Sequence, residues 1–114
     1  MINERREMWT TNKNKEGFEE GFIWRFTWQL TTAIAHLHAH GITHRDIKAA
    51  NILFLAAPGG RKSLRLCDFG VAHRIHPGEL LEGSVGTPVY MAPEIDQNLP
   101  YDARVDVWSA GCLI

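Results

Sequence analysis

From Glu19 to His40 the apolar residues Phe22, Phe26, Leu30, Ala33, Ile34 and Leu37 recur every three or four positions. That is the period of a helix laying one face on a core. Ile23, Trp24 and Trp28 widen the stripe and predict burial on more than one side. Gly41 then ends the pattern as a C-terminal cap. Two short apolar runs follow, Ile52–Leu55 and Leu64–Cys67, with the turn-forming AAPGGRKS between them, so this stretch reads as a β-hairpin. Residues 68–91 hold Gly70, Pro77, Gly78, Gly83, Gly86 and Pro88, which excludes long regular structure there. Pro93 suits the first turn of a short helix that Pro100 ends, and another helix starts near Ala103, capped by Asp102. Residues 1–19 are polar and carry no comparable pattern.

At 114 residues the chain is one domain at most, divided into that polar segment and a patterned stretch, 20–114. A formal net charge of −1, with both signs interspersed, offers nothing to nucleic acid or to an anionic membrane surface. No signal peptide is visible from Met1 to Arg6, and every apolar stretch is interrupted before it reaches a membrane span. Cys67 and Cys112 form neither metal spacing nor a disulfide framework and sit in apolar runs, so both are expected to be buried free thiols. The expected location is intracellular, in the cytoplasm.

The chemistry concentrates in residues 44–51, HRDIKAAN. Asp46 can accept or orient the proton of an attacking hydroxyl, Asn51 offers a carbonyl oxygen to a hard cation, and Lys48 can steady a transferred phosphoryl group. The second hairpin strand runs into Asp68-Phe69-Gly70, so a tight hairpin returns that carboxylate to the edge where Asn51 lies. Gly70 lets the chain turn after the Phe.

HRDIKAAN, DFG at 68–70 and APE at 92–94, in that order, resemble the signature set of the eukaryotic protein kinases. The flanking LHAHGITHRD, NILF, GTPVYMAPE and DVWSAG fit the same family. The resemblance spans about residues 20–114. It implies an α+β, protein-kinase-like fold, here a mostly helical large lobe with one small β-hairpin and the small lobe absent. It implies a transferase acting with ATP and Mg²⁺ on Ser or Thr hydroxyls of a protein substrate.

Carried over residue by residue, the resemblance makes Asp46 the catalytic base and Lys48 the γ-phosphate contact. Asn51 and Asp68 become the magnesium ligands. His44, Phe69, Gly70, Glu94 and Asp106 become structural, Asp106 anchoring the catalytic loop from below. Arg45 becomes the receptor for phosphate on the activation segment, and Thr87 bonds towards Asp46 and Lys48. Lys48 and the GTP at 86–88 resemble the serine/threonine class rather than the tyrosine kinases. EGFIWRFTWQLTTAIAHLH resembles NIMA-related kinases, and HRDIKAANIL fits the sterile-group kinases equally well.

The pattern also departs from the family. No Gly-rich loop, Val-Ala-x-Lys strand or partner Glu helix precedes residue 20, so a truncated and inactive piece is expected, with a pseudokinase or regulatory scaffold as the alternative. The usual phosphorylated position is Gly83, which leaves the neighbouring Ser84 as the expected phosphate carrier. His36 and His40 share a helix face, but no Cys or carboxylate joins them at ligand spacing, so they are read as structural. Trp24, Trp28 and Trp108 are read as packing residues.

Overall fold

The computed structural model describes residues 20–60 and 62–114; the polar segment 1–19 lies outside the described residues. Helix α1 spans Glu20–Ala39. Phe26, Leu30 and Ile34, four residues apart, form its buried stripe. The helix ends where expected: the Gly41 amide closes onto the His38 carbonyl, and Gly41 sits at φ +71°. A Cβ there would stand 2.9 Å from the Ile75 carbonyl oxygen, so the close approach of the two chains also requires glycine.

That approach creates the first of two small antiparallel pairs. Strand β1, Ile42–Thr43, pairs with β4, His73–Arg74. The hairpin β2–β3, Ile52–Ala56 with Lys62–Leu66, is the second, in the register Ile52 to Leu66. Its connection bends at Gly59 and Gly60, both at positive φ. Gln29 of α1 clips the hairpin in a way that no periodicity announces. Its Oε1 accepts the Leu64 amide at 2.7 Å, and its Nε2 donates to the Lys62 carbonyl at 3.4 Å. The helix thereby satisfies backbone groups that an edge strand would leave to solvent.

Residues 68–91 are irregular as expected, apart from β4 and a 3₁₀ turn at Pro88–Tyr90. Helix α2 is Pro93–Asp96, and α3 is Arg104–Leu113. Pro100 is not the residue that ends α2: the chain leaves the helix at Gln97, and Asn98 takes a left-handed φ of +57°. Nor is Asp102 the residue at the helix boundary, which is Ala103. Asp102 Oδ1 nevertheless accepts the Arg104 amide at 3.0 Å, so it satisfies a first-turn donor from one position further out.

Two apolar clusters hold these pieces. Phe26, Leu30, Ile34, Ile47, Ile52, Leu64 and Ala110 form one; Leu81, Ala92, Ile95, Tyr101 and Val105 form the other. Helix α3 lends a residue to each. Full burial of a side chain such as Leu30 or Ile52 contributes roughly 1.5–3 kcal/mol. The wider stripe expected on α1 is not buried: Trp24 is 70% and Trp28 67% exposed. Trp108 is also exposed. Cys112 is exposed and Cys67 only half-buried, so the expectation of two buried thiols fails as well. In each case local hydrophobicity marked a face that the described residues do not cover. None of the described helices is long and apolar enough to cross a membrane.

Candidate active site

The loop that follows β1 hangs from one buried carboxylate. Asp106, in the first turn of α3, is fully buried. Its Oδ2 accepts the His44 amide and its Oδ1 the Arg45 amide, both at 2.9 Å. His38 Nε2 lies 2.9 Å from Oδ2 and, facing a carboxylate, donates to it. Arg45 has φ +70° without being glycine, a conformation that costs on the order of 1–3 kcal/mol. The charge-assisted bonds to Asp106 offset that strain. One carboxylate thus holds two consecutive backbone amides of the loop.

His44 ties the loop to the hairpin. Its Nδ1 accepts the Asp46 amide at 3.1 Å, while Nε2 stands 3.0 Å from the Cys67 carbonyl. An amide only donates and a carbonyl only accepts, so the ring hydrogen sits on Nε2. The Phe69 ring meets His44 edge-on, with centroids 5.0 Å apart, and is otherwise 47% exposed.

With its backbone set, the loop turns Asp46, Lys48 and Asn51 together. Asn51 Nδ2 donates to the Asp46 carbonyl at 2.8 Å and lies 3.4 Å from Asp46 Oδ2. The Asn51 side chain thus commits its NH₂ inward, and its carbonyl oxygen is an acceptor of the kind a hard cation takes. Thr87 reaches in from the irregular segment. Its hydroxyl donates to Asp46 Oδ1 at 2.9 Å and accepts from Lys48 Nζ at 2.8 Å. Lys48 Nζ is also 3.6 Å from Asp46 Oδ2. Gly86 makes this meeting possible. At φ +106° its α-carbon presses against the loop, and a Cβ would stand 2.6 Å from the Arg45 carbonyl oxygen.

The hairpin joins the residue before Asp68 to Asn51. The Asn51 carbonyl accepts the Cys67 amide at 2.9 Å, which extends the ladder to the residue before Asp68. Asp68 is exposed, at φ +60°, and its Oδ1 accepts the Gly70 amide at 3.2 Å. Arg45 sends its guanidinium the other way: Nε donates to the Val71 carbonyl at 2.7 Å and Nη1 to the Tyr101 hydroxyl at 3.2 Å. Ser84 is exposed, and Glu94, in α2, is half-buried. The His36 and His40 rings lie 4.4 Å apart, tilted by 40°, at the end of α1, and the His40 Nδ1–H donates to the His36 carbonyl.

Sequence reasoning passed over two residues of this arrangement. His38 stands in the Leu37-His38 pair, which has a counterpart in the family but does not point to Asp106, and Tyr101 belongs to no motif. Neither carries a local signal of its role, because each partner lies far along the chain.

Comparison with known proteins bears on the whole arrangement. Residues 2–114 match the protein kinase domain family. The chain is 46% identical over 84 residues to serine/threonine-protein kinase 36 of Pongo abelii, covering 73% of this chain and 6% of that protein. It is 48% identical over 82 residues to serine/threonine-protein kinase PEPKR2 of Arabidopsis thaliana, covering 71% and 16%. With serine/threonine-protein kinase Nek5 of Homo sapiens it shares 45% over 82 residues, covering 71% and 11%. The chain thus spans well under a third of the length of these relatives. With an α+β arrangement and a loop built around HRDIKAAN, the chain belongs to the protein kinase domain family, among its serine/threonine members.

Proposed function

We propose that the whole protein transfers the γ-phosphoryl group of ATP to Ser or Thr hydroxyls of protein substrates, with these residues as its catalytic centre. One observation carries this reading: Asp46, Lys48 and Thr87 already form a closed hydrogen-bonded group around a hydroxyl. Asp46 accepts from that hydroxyl and Lys48 donates to it, which is how an attacking Ser or Thr would have to be held. Asp46 acts as base or orienting acceptor for the substrate hydroxyl, and Lys48 stabilises negative charge on the phosphoryl oxygens. Thr87 shapes the hydroxyl site.

Asn51 and Asp68 would hold magnesium. The donor set fits, because a carboxylate and an amide carbonyl are the hard oxygen ligands that this cation takes. Bound Mg²⁺–ATP supplies the phosphoryl group and neutralises charge on its oxygens. On its own the chain is proposed to be inactive, since its 114 residues hold no Gly-rich loop or Val-Ala-x-Lys strand. His44 and Asp106 position the loop, Phe69 and Gly70 set the turn beside Asp68, and Glu94 supports the end of the segment. Arg45 is proposed to receive phosphate carried by Ser84. The site of action is proposed to be intracellular, in the cytoplasm.

The test is Asp46→Asn in the full-length protein. Turnover on a protein substrate should fall by about 10²–10⁴, the usual span for losing a general base. Affinity for ATP should hold, because Asn51 and Asp68 are untouched. Near-normal turnover in this variant would remove Asp46 from the mechanism. A wild-type protein that binds partners without turnover would favour the scaffold alternative.

A further inference from the structure

Arg45, in the proposed regulatory role, is already engaged without any phosphate. Its Nη1 donates to the Tyr101 hydroxyl at 3.2 Å, and that hydroxyl donates in turn to the Gly83 carbonyl at 2.9 Å. Tyr101 is only 3% exposed, in the cluster with Leu81, Ile95 and Val105. Its backbone is tied to the same segment, through paired bonds of 2.7 and 2.9 Å with Leu81. Its ring therefore stands on a fixed base. Gly83 is the residue at the usual phosphorylated position, and it offers only a backbone carbonyl.

We propose that Tyr101 is a positioning residue whose hydroxyl joins Arg45 to Gly83, setting the activation segment against the catalytic loop before any phosphate arrives. The inference rests on the kinase reading and deepens its regulation. A phenol hydroxyl has one donor and can accept as well, so it can link a guanidinium to a carbonyl; a phosphate, which is only an acceptor at full charge, cannot bond a carbonyl. Arg45 Nε is committed to Val71 and one Nη1 hydrogen to Tyr101, out of five guanidinium hydrogens. Donors are left over, so phosphate on Ser84 adds to this brace rather than replacing it. The segment is thus held at Val71 and Gly83 through one arginine. Its setting is graded by phosphate, not switched by it.

The experiment is Tyr101→Phe, which keeps the buried ring and deletes only the hydroxyl. Amide hydrogen exchange of residues 83–87 in the full-length, unphosphorylated protein should quicken about two- to tenfold, the equivalent of one net hydrogen bond. Exchange in α1 and in the hairpin should not move. The Arg45 side-chain N–H resonances should shift in the same variant, a signature that loosened packing elsewhere would not give. Arg45→Gln should quicken exchange similarly, and the double variant should fall short of the sum if the two residues act as one link. If Tyr101→Phe unfolds the protein, the Arg45→Gln exchange pattern decides the matter alone. Unchanged exchange at 83–87, or full additivity, would overturn the proposal. None of these readouts needs turnover, so failure of the kinase reading would be seen separately, in the Asp46→Asn assay.

Discussion

The loop at residues 44–51 and the segment after Asp68 differ in how they are held. Residues 44–47 include two fully buried side chains, His44 and Ile47, and the loop hangs from the buried carboxylate of Asp106. The segment is mostly exposed and is pinned at separate points: β4 to β1, Leu81 to Tyr101, Gly83 to the Tyr101 hydroxyl, Thr87 to Asp46. A buried anchor that serves several donors resists removal, because every donor is orphaned at once. Single bonds at separate points can be made and broken one by one. The proposed chemistry rests on the first kind of support and the proposed regulation on the second.

The sharpest way to break this contrast is Asp106→Ala. It strands two backbone amides and His38 beside a residue strained at positive φ. Stability by urea unfolding should fall by about 3–5 kcal/mol, as for other buried charged partners removed singly. A loss below about 1 kcal/mol would place the anchor elsewhere. Gly86→Ala separates the two regions more selectively. The added Cβ meets the Arg45 carbonyl at 2.6 Å on a backbone at φ +106°, and the cost should be about 1–3 kcal/mol. Hydrogen exchange should quicken in residues 83–90 while 44–51 stay protected. Equal quickening in both would mean that the loop leans on the segment after all.

The smallest effect lies at the edge of both regions. The Arg104 side chain, bonded to Asp102, holds the Asp102 carboxyl below the ordinary aspartate value, and the Arg104 backbone amide adds to this. A carboxyl lowered on folding contributes stability at pH above its unfolded value. That contribution is lost as pH falls through the folded value, so it should fade below about pH 4. Arg104 is largely exposed, so solvent screens the pair and the contribution is small. Comparing denaturation midpoints of wild type and Asp102→Asn across that range should give curves that converge in acid. Curves that stay parallel would assign the difference to the amide bond alone.

Much of this was legible in the sequence because it is local. The helix over Phe22 to Leu37, its stop at Gly41 and the hairpin around Pro58 and the glycines depend on residues a few positions apart. The meeting of Asp46, Lys48 and Thr87 was legible through resemblance alone, since nothing in the composition of residues 68–91 aims Thr87 at Asp46. What stayed hidden was decided at long range. Gln29 looks like any polar helix residue until β3 lies beside it. The exposure of Trp24, Trp28 and Cys112 depends on what covers a face, and an apolar pattern carries no record of its cover. Tyr101 gave no sign that its hydroxyl would be used, because its two partners, Arg45 and Gly83, come from two other stretches of chain.

The bonds from Asp106 to the loop span 62 and 61 residues. Closing so large a loop is slow relative to forming a helix or a hairpin, and the entropic cost comes before the contact forms. On a ribosome the HRD stretch emerges well before its anchor does. Helix α1 and the hairpin can therefore assemble while the stretch between them is still without its final shape. The strained turn at Arg45 has no reason to form until the first turn of α3 docks. The arrangement of Asp46, Lys48 and Asn51 is thus among the last things this chain acquires, and a nascent chain halted before Asp106 would hold every residue of HRDIKAAN without that arrangement.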